Sequence, residues 1–200
     1  MQRTISKEEL SLLPLQYFEG DVEVIENSER IDALVSELEQ HPVLGFDTET
    51  KPSFQKGKMN KVALLQLSTS KKAYLFRLNK TGLHPALIRL LANPDVQKVG
   101  VGIRDDIKGL QRLASFLSAG FVELQDYVRE VGFEDTSLKK LAGLVLKFRV
   151  SKRQRLSNWE ALHLTDSQVL YAATDAWVGI ELYRQLTMQF PHCEVQTLTI

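Results

Sequence analysis

The chain has 200 residues, 44% of them hydrophobic and 25% charged, with 25 basic residues balancing 25 acidic ones. That length and apolar share suit one large domain with its own core and exclude a disordered chain. The formal net charge of zero excludes a general polyelectrolyte, so any nucleic-acid affinity must come from local patches.

Cys193 is the only cysteine, which leaves no internal disulfide or thiolate metal site and favours a reducing, cytoplasmic setting. Nothing near the N-terminus resembles a signal peptide, and no apolar run is long enough to cross a bilayer. His41, His84, His163 and His192 show no ligand spacing.

Ser6-Lys7-Glu8-Glu9 has the form of a capping box, with Ile5 and Leu10 as its staple, and predicts a short helix ending before Pro14. Residues 1–19 are expected to form a loosely attached extension with no catalytic part, residues 20–190 one α/β domain, and residues 191–200 a tail. Asp21 to Glu26 alternates as a strand, and Ile31, Leu34, Val35 and Leu38 mark a helix from about Ser28. Val43 to Thr50 reads as a central strand whose first half is buried on both faces. A polar Pro- and Gly-containing loop, Lys51 to Lys58, follows. Val62 to Ser68 and Ala73 to Arg77 complete a three-strand meander. The pattern then alternates: helix Pro85 to Leu91, strand Lys98 to Ile103, helix Asp106 to Leu117 and strand Phe121 to Leu124. Ser137 to Leu146 and Asp166 to Met188 are the last helices. Such alternation predicts parallel strands joined to the meander in one mixed sheet, with helices on both faces.

Asp47 and Glu49 stand at i and i+2 on the central strand, so both side chains leave by one face. Two like charges at the end of a buried strand repel, and a hard cation held by oxygen ligands, Mg²⁺ or Mn²⁺, relieves them. In the helix after Lys98 to Ile103, Ile107, Leu110, Leu113, Ala114 and Leu117 define an apolar stripe at about 100° per residue. Asp106 falls within that stripe and Asp105 outside it, so Asp106 is the inward carboxylate. Tyr171 and Asp175, at i and i+4 in the last helix, share its core-facing side with Val178, Leu182 and Leu186. Burying an unpaired carboxylate costs several kcal/mol, which calls for a partner.

Asp47, Glu49, Asp106 and Asp175 together offer enough oxygen for two divalent ions roughly 4 Å apart, the arrangement used for in-line displacement at phosphorus. Tyr171, with a reference pKa near 10, is a poor base and a better orienting donor.

Phe46-Asp47-Thr48-Glu49-Thr50, Val99 to Asp106 and Tyr171-Ala172-Ala173-Thr174-Asp175-Ala176 resemble the three motifs of the DEDDy 3′→5′ exonucleases. The resemblance covers about residues 20 to 190 and is strongest to Werner-type exonuclease domains, then to ribonuclease D. It implies a ribonuclease H-like α/β fold and a metal-dependent 3′→5′ exonuclease releasing nucleoside 5′-monophosphates. It also implies metal ligation by Asp47, Glu49, Asp106 and Asp175, with Tyr171 positioning water. DNA is the favoured substrate on this resemblance, and a ribonuclease D-like exoribonuclease is the alternative. A silent nucleic-acid-binding domain is a second alternative, though it would have no reason to keep a repelling cluster of acids. A separate helicase or repair protein is the implied protein partner.

Seven basic residues and no acidic one lie between Lys139 and Arg155. Lys152, Arg153 and Arg155, on the loop feeding the last helix, are the expected contacts to a phosphate backbone. Lys56, Lys58 and Lys61 are expected on the opposite wall, Thr48 at the terminal nucleotide, and Phe54 or Trp159 as a stacking surface for a base. A small-molecule phosphohydrolase would not need the basic segment.

Overall fold

The computed structural model describes every residue except Met1, Phe54, Lys56, Lys58 and Val195. Strand β3, Val62–Ser68, is buried at every position, as a strand covered on both faces must be. It pairs antiparallel with β2, Val43–Thr50, and with β4, Lys72–Phe76, so the expected meander is present. Strand β1, Asp21–Ile25, runs parallel to β4; β5, Gln97–Gly100, runs parallel to β2; and β6, Phe121–Glu123, runs parallel to β5. Among the described residues these form one mixed sheet in the order β1-β4-β3-β2-β5-β6.

Helices cover both faces. On one side lie α2 (Ile31–Leu38), α4 (Pro85–Leu91) and α5 (Arg104–Gln111), whose Leu34, Leu87 and Ile107 share a core with Leu44 and Phe46 of β2. The other side belongs to α8, Asp166–Gln189, with Val178, Leu182 and Leu186 packed against Val99 and Val122. A capping box opens α8: the Gln168 N–H donates to Thr165 Oγ1 at 3.3 Å, and the Thr165 N–H to Gln168 Oε1 at 3.0 Å. Among the described residues no helix is long and apolar enough to cross a membrane.

The helix α8 lies against the sheet backbone to backbone. A Cβ at Gly45 of β2 would fall inside contact distance of the Ala176 carbonyl oxygen, and one at Gly179 of α8 would sit 3.0 Å from the Val99 carbonyl oxygen. Only glycine fits the first position without moving the helix.

Several boundaries differ from the sequence expectation. The strand expected through Ile103 ends at Gly100, because Gly102 turns the chain at φ +79° and α5 starts at Arg104. The helix expected to reach Leu117 ends at Gln111; the Leu113 N–H turns back to the Leu110 carbonyl at 2.9 Å, and Leu117 is 77% exposed. The helix expected over 137–146 is α-helical only as α7, Leu138–Leu141, and then widens into a π-turn at Ala142–Leu146 that Lys147 closes at φ +62°. Short helices α3, Leu78–Thr81, and α6, Leu124–Glu130, appear where none was expected.

The N-terminal extension is not loose. Helix α1, Lys7–Leu12, carries the expected capping box, with Glu9 N–H to Ser6 Oγ at 3.1 Å and Ser6 N–H to Glu9 Oε2 at 2.8 Å. Ile5 and Leu10 are buried. The Ile5 N–H donates to Asp135 at 2.9 Å, Arg149 Nε donates to the Leu13 carbonyl at 3.0 Å, and Arg149 and Pro14 to Gln16 exchange two backbone bonds. At the other end, the Leu198 N–H bonds the Phe121 carbonyl at 2.7 Å, and Leu198 and Ile200 pack on the core beside β6. This contact covers an otherwise open sheet edge.

Gly45→Ala forces α8 away from β2, at a cost of about 3 kcal/mol for overpacking. Thermal unfolding will show a lower melting temperature; an unchanged one would mean that the two backbones are not in hard contact.

Candidate active site

Strand alternation sends Asp47 and Glu49 to the α8 side of the sheet and Thr48 to the opposite side. There α8 presents Tyr171 and Asp175, and with Val101, Lys152 and Arg155 these residues line a cleft of about 180 Å³. Asp175 is only 7% exposed and Tyr171 8%. Tyr171 stands one helical turn before Asp175 on the same face of α8, where its phenol favours the charged form of the Asp175 carboxylate.

Asp106 does not line this cleft but an adjoining groove that shares Thr48 with it. It is in the first turn of α5 and is half-buried, whereas Asp105 beside it points to water. The Thr48 hydroxyl donates to Asp106 at 2.5 Å. Thr48 and Asp106 line that groove, of about 330 Å³, with Asn60 and Arg112. The hydroxyl expected at a terminal nucleotide is therefore engaged in holding Asp106.

The electrostatics tie the four acids together. Burial raises Asp47 well above the usual carboxylate range, and the charges of Asp106, Asp175 and Glu49 add to it. Glu49 is pushed up to about 9 by burial, then by Asp175 and Asp106, with Arg155 opposing. Burial lifts Asp175 to about 7 against the Tyr171 hydrogen bond and Lys152. Asp106 rises to about 6, again by burial, with the Thr48 hydrogen bond opposing and the like charges of Asp105 and Glu123, rather than those of the cleft, adding to it. The Tyr171 phenol is raised by burial and by the acids around it.

Among the described residues no three carboxylate, imidazole or thiolate groups are gathered tightly enough to grip an ion as they stand. The donor set nonetheless fits a hard divalent cation: it is all oxygen, and each acid is held in a state that a positive charge would relieve. The cations acting on it, Lys152 on Asp175 and Arg155 on Glu49, come from the loop rather than from within the cluster.

Lys152 and Arg155 line the acid cleft, but Arg153 does not; it faces a neighbouring pocket on the far side of Tyr171. Lys140 pairs with Asp135 at 2.5 Å and Arg149 holds the N-terminal segment, so part of the basic run is structural. Trp159 is fully buried against Tyr171, with ring centroids 6.0 Å apart, and cannot stack on a base. Phe54, Lys56 and Lys58 lie outside the described residues, and Lys61 follows them in the chain before β3.

Two residues that the sequence reading passes over contribute here. Glu123 of β6 is buried and accepts from the Gly102 and Ile103 N–H groups, both at 2.7 Å, so a carboxylate caps the turn that starts α5 and carries Asp106. Gln66 is paired in register with Asp47, shares its face, and has both amide atoms buried without a partner among the described residues. An amide interrupting the apolar run of β3 was the available signal for Gln66.

The sequence profile of 3′-5′ exonucleases matches residues 22–191. The chain is 39% identical over 155 residues to the bifunctional 3′-5′ exonuclease/ATP-dependent helicase WRN of Mus musculus, an overlap of 74% of this chain and 11% of that protein. It is 36% identical over 165 residues to exonuclease 3′-5′ domain-containing protein 2 of Homo sapiens, covering 76% of this chain and 26% of that one. The chain thus spans a small part of both. The solved EXO domain of Aedes aegypti Nibbler is similar with a TM-score of 0.79 at 26% identity, covering 90% of this chain and 95% of that one. Escherichia coli RNase D shares the fold with a TM-score of 0.76 at 17% identity, covering 86% of this chain and 45% of that one.

Asp175→Asn removes one repelling charge and keeps the Tyr171 contact. Without divalent ions it will raise stability by about 1 kcal/mol, roughly 2–4 °C in melting temperature for a chain of this size. Added Mn²⁺ will stabilise the wild type more than the variant. Equal Mn²⁺ shifts in both proteins would remove Asp175 from the ligand set.

Proposed function

The chain belongs to the 3′-5′ exonuclease family, a family of nucleases with a ribonuclease H-like fold, and from that premise we propose that it shortens a nucleic-acid strand from the 3′ end, using two divalent ions, Mg²⁺ or Mn²⁺, and releasing nucleoside 5′-monophosphates. The observation that carries the reading is the convergence of Asp47, Glu49 and Asp175 on one cleft, with Asp106 near enough for its charge to raise both Asp47 and Glu49. A structural cluster of this kind gains nothing from being buried without counter-charge, whereas an ion-binding one requires it.

Asp47 would be the shared ligand, with Glu49 and Asp175 on the side of the attacking water and Asp106 on the side of the leaving oxygen. When bound, divalent ions supply Lewis-acid charge at the scissile phosphate and make water more acidic. Tyr171, whose phenol is raised above its ordinary value, stays protonated at working pH and donates a hydrogen bond. It therefore orients rather than accepts a proton. Thr48 would set the carboxylate of Asp106 through its hydrogen bond. Lys152 and Arg155, on the loop wall of the cleft, would meet the phosphates next to the scissile bond.

DNA is the favoured substrate. The Mus musculus relative carries an exonuclease and an ATP-dependent helicase by name, and a helicase opening duplex ends is the partner class this reading implies. The RNA alternative draws support from fold likeness to the Trypanosoma brucei RNase D complex with RNA U12, at a TM-score of 0.73 and 18% identity. Selection between the two sugars can rest on one or two contacts to the 2′-hydroxyl.

Digestion of matched, end-labelled DNA and RNA single strands with Mg²⁺ or Mn²⁺ tests the reading. Stepwise loss from the 3′ end of DNA, abolished by EDTA and by Asp47→Ala in a folded protein, is expected. Shortening of RNA alone selects the alternative, and binding without shortening would overturn both. Replacing Lys152 and Arg155 with Gln will weaken strand binding and flatten its salt dependence, the slope falling by about one for each phosphate no longer neutralised. An unaltered slope would take both side chains off the strand path.

A further inference from the structure

The N-terminal segment reaches the active site although it lies before residue 22, where the family match begins. Its last part is pinned at two points. The Gln16 N–H donates to the Arg149 carbonyl at 3.0 Å, and the Phe18 N–H to Thr174 Oγ1 at 3.1 Å, one residue from Asp175. The Phe18 ring is buried and packs on Trp177 of α8 at 6.0 Å between centroids. Tyr17, between these anchors, is 38% exposed.

The exposed Tyr17 forms one wall of a pocket of about 130 Å³, with Arg153 and Gln154 of the basic loop and Leu170 and Tyr171 of α8 as other walls. Ser151 and Tyr171 also line the acid cleft, so the two spaces are neighbours across Tyr171. Among the described residues no carboxylate lines this pocket. Its walls offer an aromatic ring on a pinned backbone, a guanidinium and an amide. An aromatic face takes a base of any sequence by stacking, and a guanidinium takes a phosphate oxygen.

We propose that the pocket between Tyr17 and Arg153 is a second strand subsite, which seats a nucleotide at least two positions upstream of the 3′-terminal one, beyond the reach of a dinucleotide, with its base against Tyr17 and its phosphate against Arg153. The proposal rests on the exonuclease reading above and adds to it a part of the chain outside the family match. It also explains why Arg153 faces away from the acids while Lys152 and Arg155 face them. The N-terminal segment then both anchors the loop through Arg149 and supplies a substrate contact.

The test compares kcat/KM on a dinucleotide and on an octanucleotide of the nucleic acid that the enzyme degrades, together with melting temperatures. In Tyr17→Ala and in Arg153→Gln the ratio of octanucleotide to dinucleotide kcat/KM will fall about tenfold, within the range set by removing one base stack, and Tyr17→Phe will keep the wild-type ratio. A wild-type ratio in Tyr17→Ala overturns the subsite and leaves the exonuclease reading standing. So does an equal loss on both substrates with a lowered melting temperature, which would make Tyr17 a purely structural part of the strap. A wild-type protein that digests neither substrate overturns the exonuclease reading and the subsite with it.

Discussion

The close approach of α8 to β2 at Gly45 and Ala176 sets the distance at which Asp175 faces Asp47 and Glu49. With the backbones in contact, the carboxylates have little room to separate, and burial denies them the water that would screen them. The packing energy of α8, from Val178, Leu182 and Leu186 among other buried residues, holds this arrangement against its own electrostatics. Each such side chain contributes about 1.5–3 kcal/mol on burial, and together they sustain a cluster whose acids are all raised. The fold thus stores repulsion at one point and offsets it over the length of a helix, as sites that await a ligand commonly do.

A second layer of structure holds the surroundings of those acids. Glu123 fixes the turn before α5, and Thr48 fixes Asp106. The N-terminal segment fixes the stretch up to Arg149, from which the loop with Lys152, Arg153 and Arg155 departs. Phe148 stacks on Trp177 of α8 at 5.7 Å and 6° between planes, which ties the start of the loop to the helix. The basic residues are consequently carried on a loop that is anchored where it begins.

Much of this is legible in the residues. Asp47 and Glu49 are readable because the two-residue period of a strand leaves no choice of face, and Asp175 because helical spacing puts it on one side with Tyr171, Val178, Leu182 and Leu186, all of them buried. Asp106 falls on the inner side of α5 although apolar spacing carries the expected helix past its true end. Leu113 and Leu117 continue that spacing, but the chain tightens after Leu110, and spacing alone carries no hydrogen-bond information. The π-turn at Ala142–Leu146 keeps nearly the same apolar rhythm as an α-helix and is hidden for that reason. Trp159, Glu123 and the strap are beyond reach because their partners, Tyr171, the Gly102 turn and Arg149, are remote in the chain or set by backbone geometry. The loop wall of the cleft is readable in part: charge density locates the loop, but not that Lys152 and Arg155 line the acid cleft while Arg153 lines the pocket beside Tyr17.

A crystal soaked in Mn²⁺, with diffraction recorded at the manganese absorption edge, tests the central claim most directly. The account predicts anomalous peaks among the carboxylates of Asp47, Glu49, Asp106 and Asp175, with those side chains drawn inward. A map with no peak at the cleft, and Asp175 still facing Tyr171 alone, would contradict it.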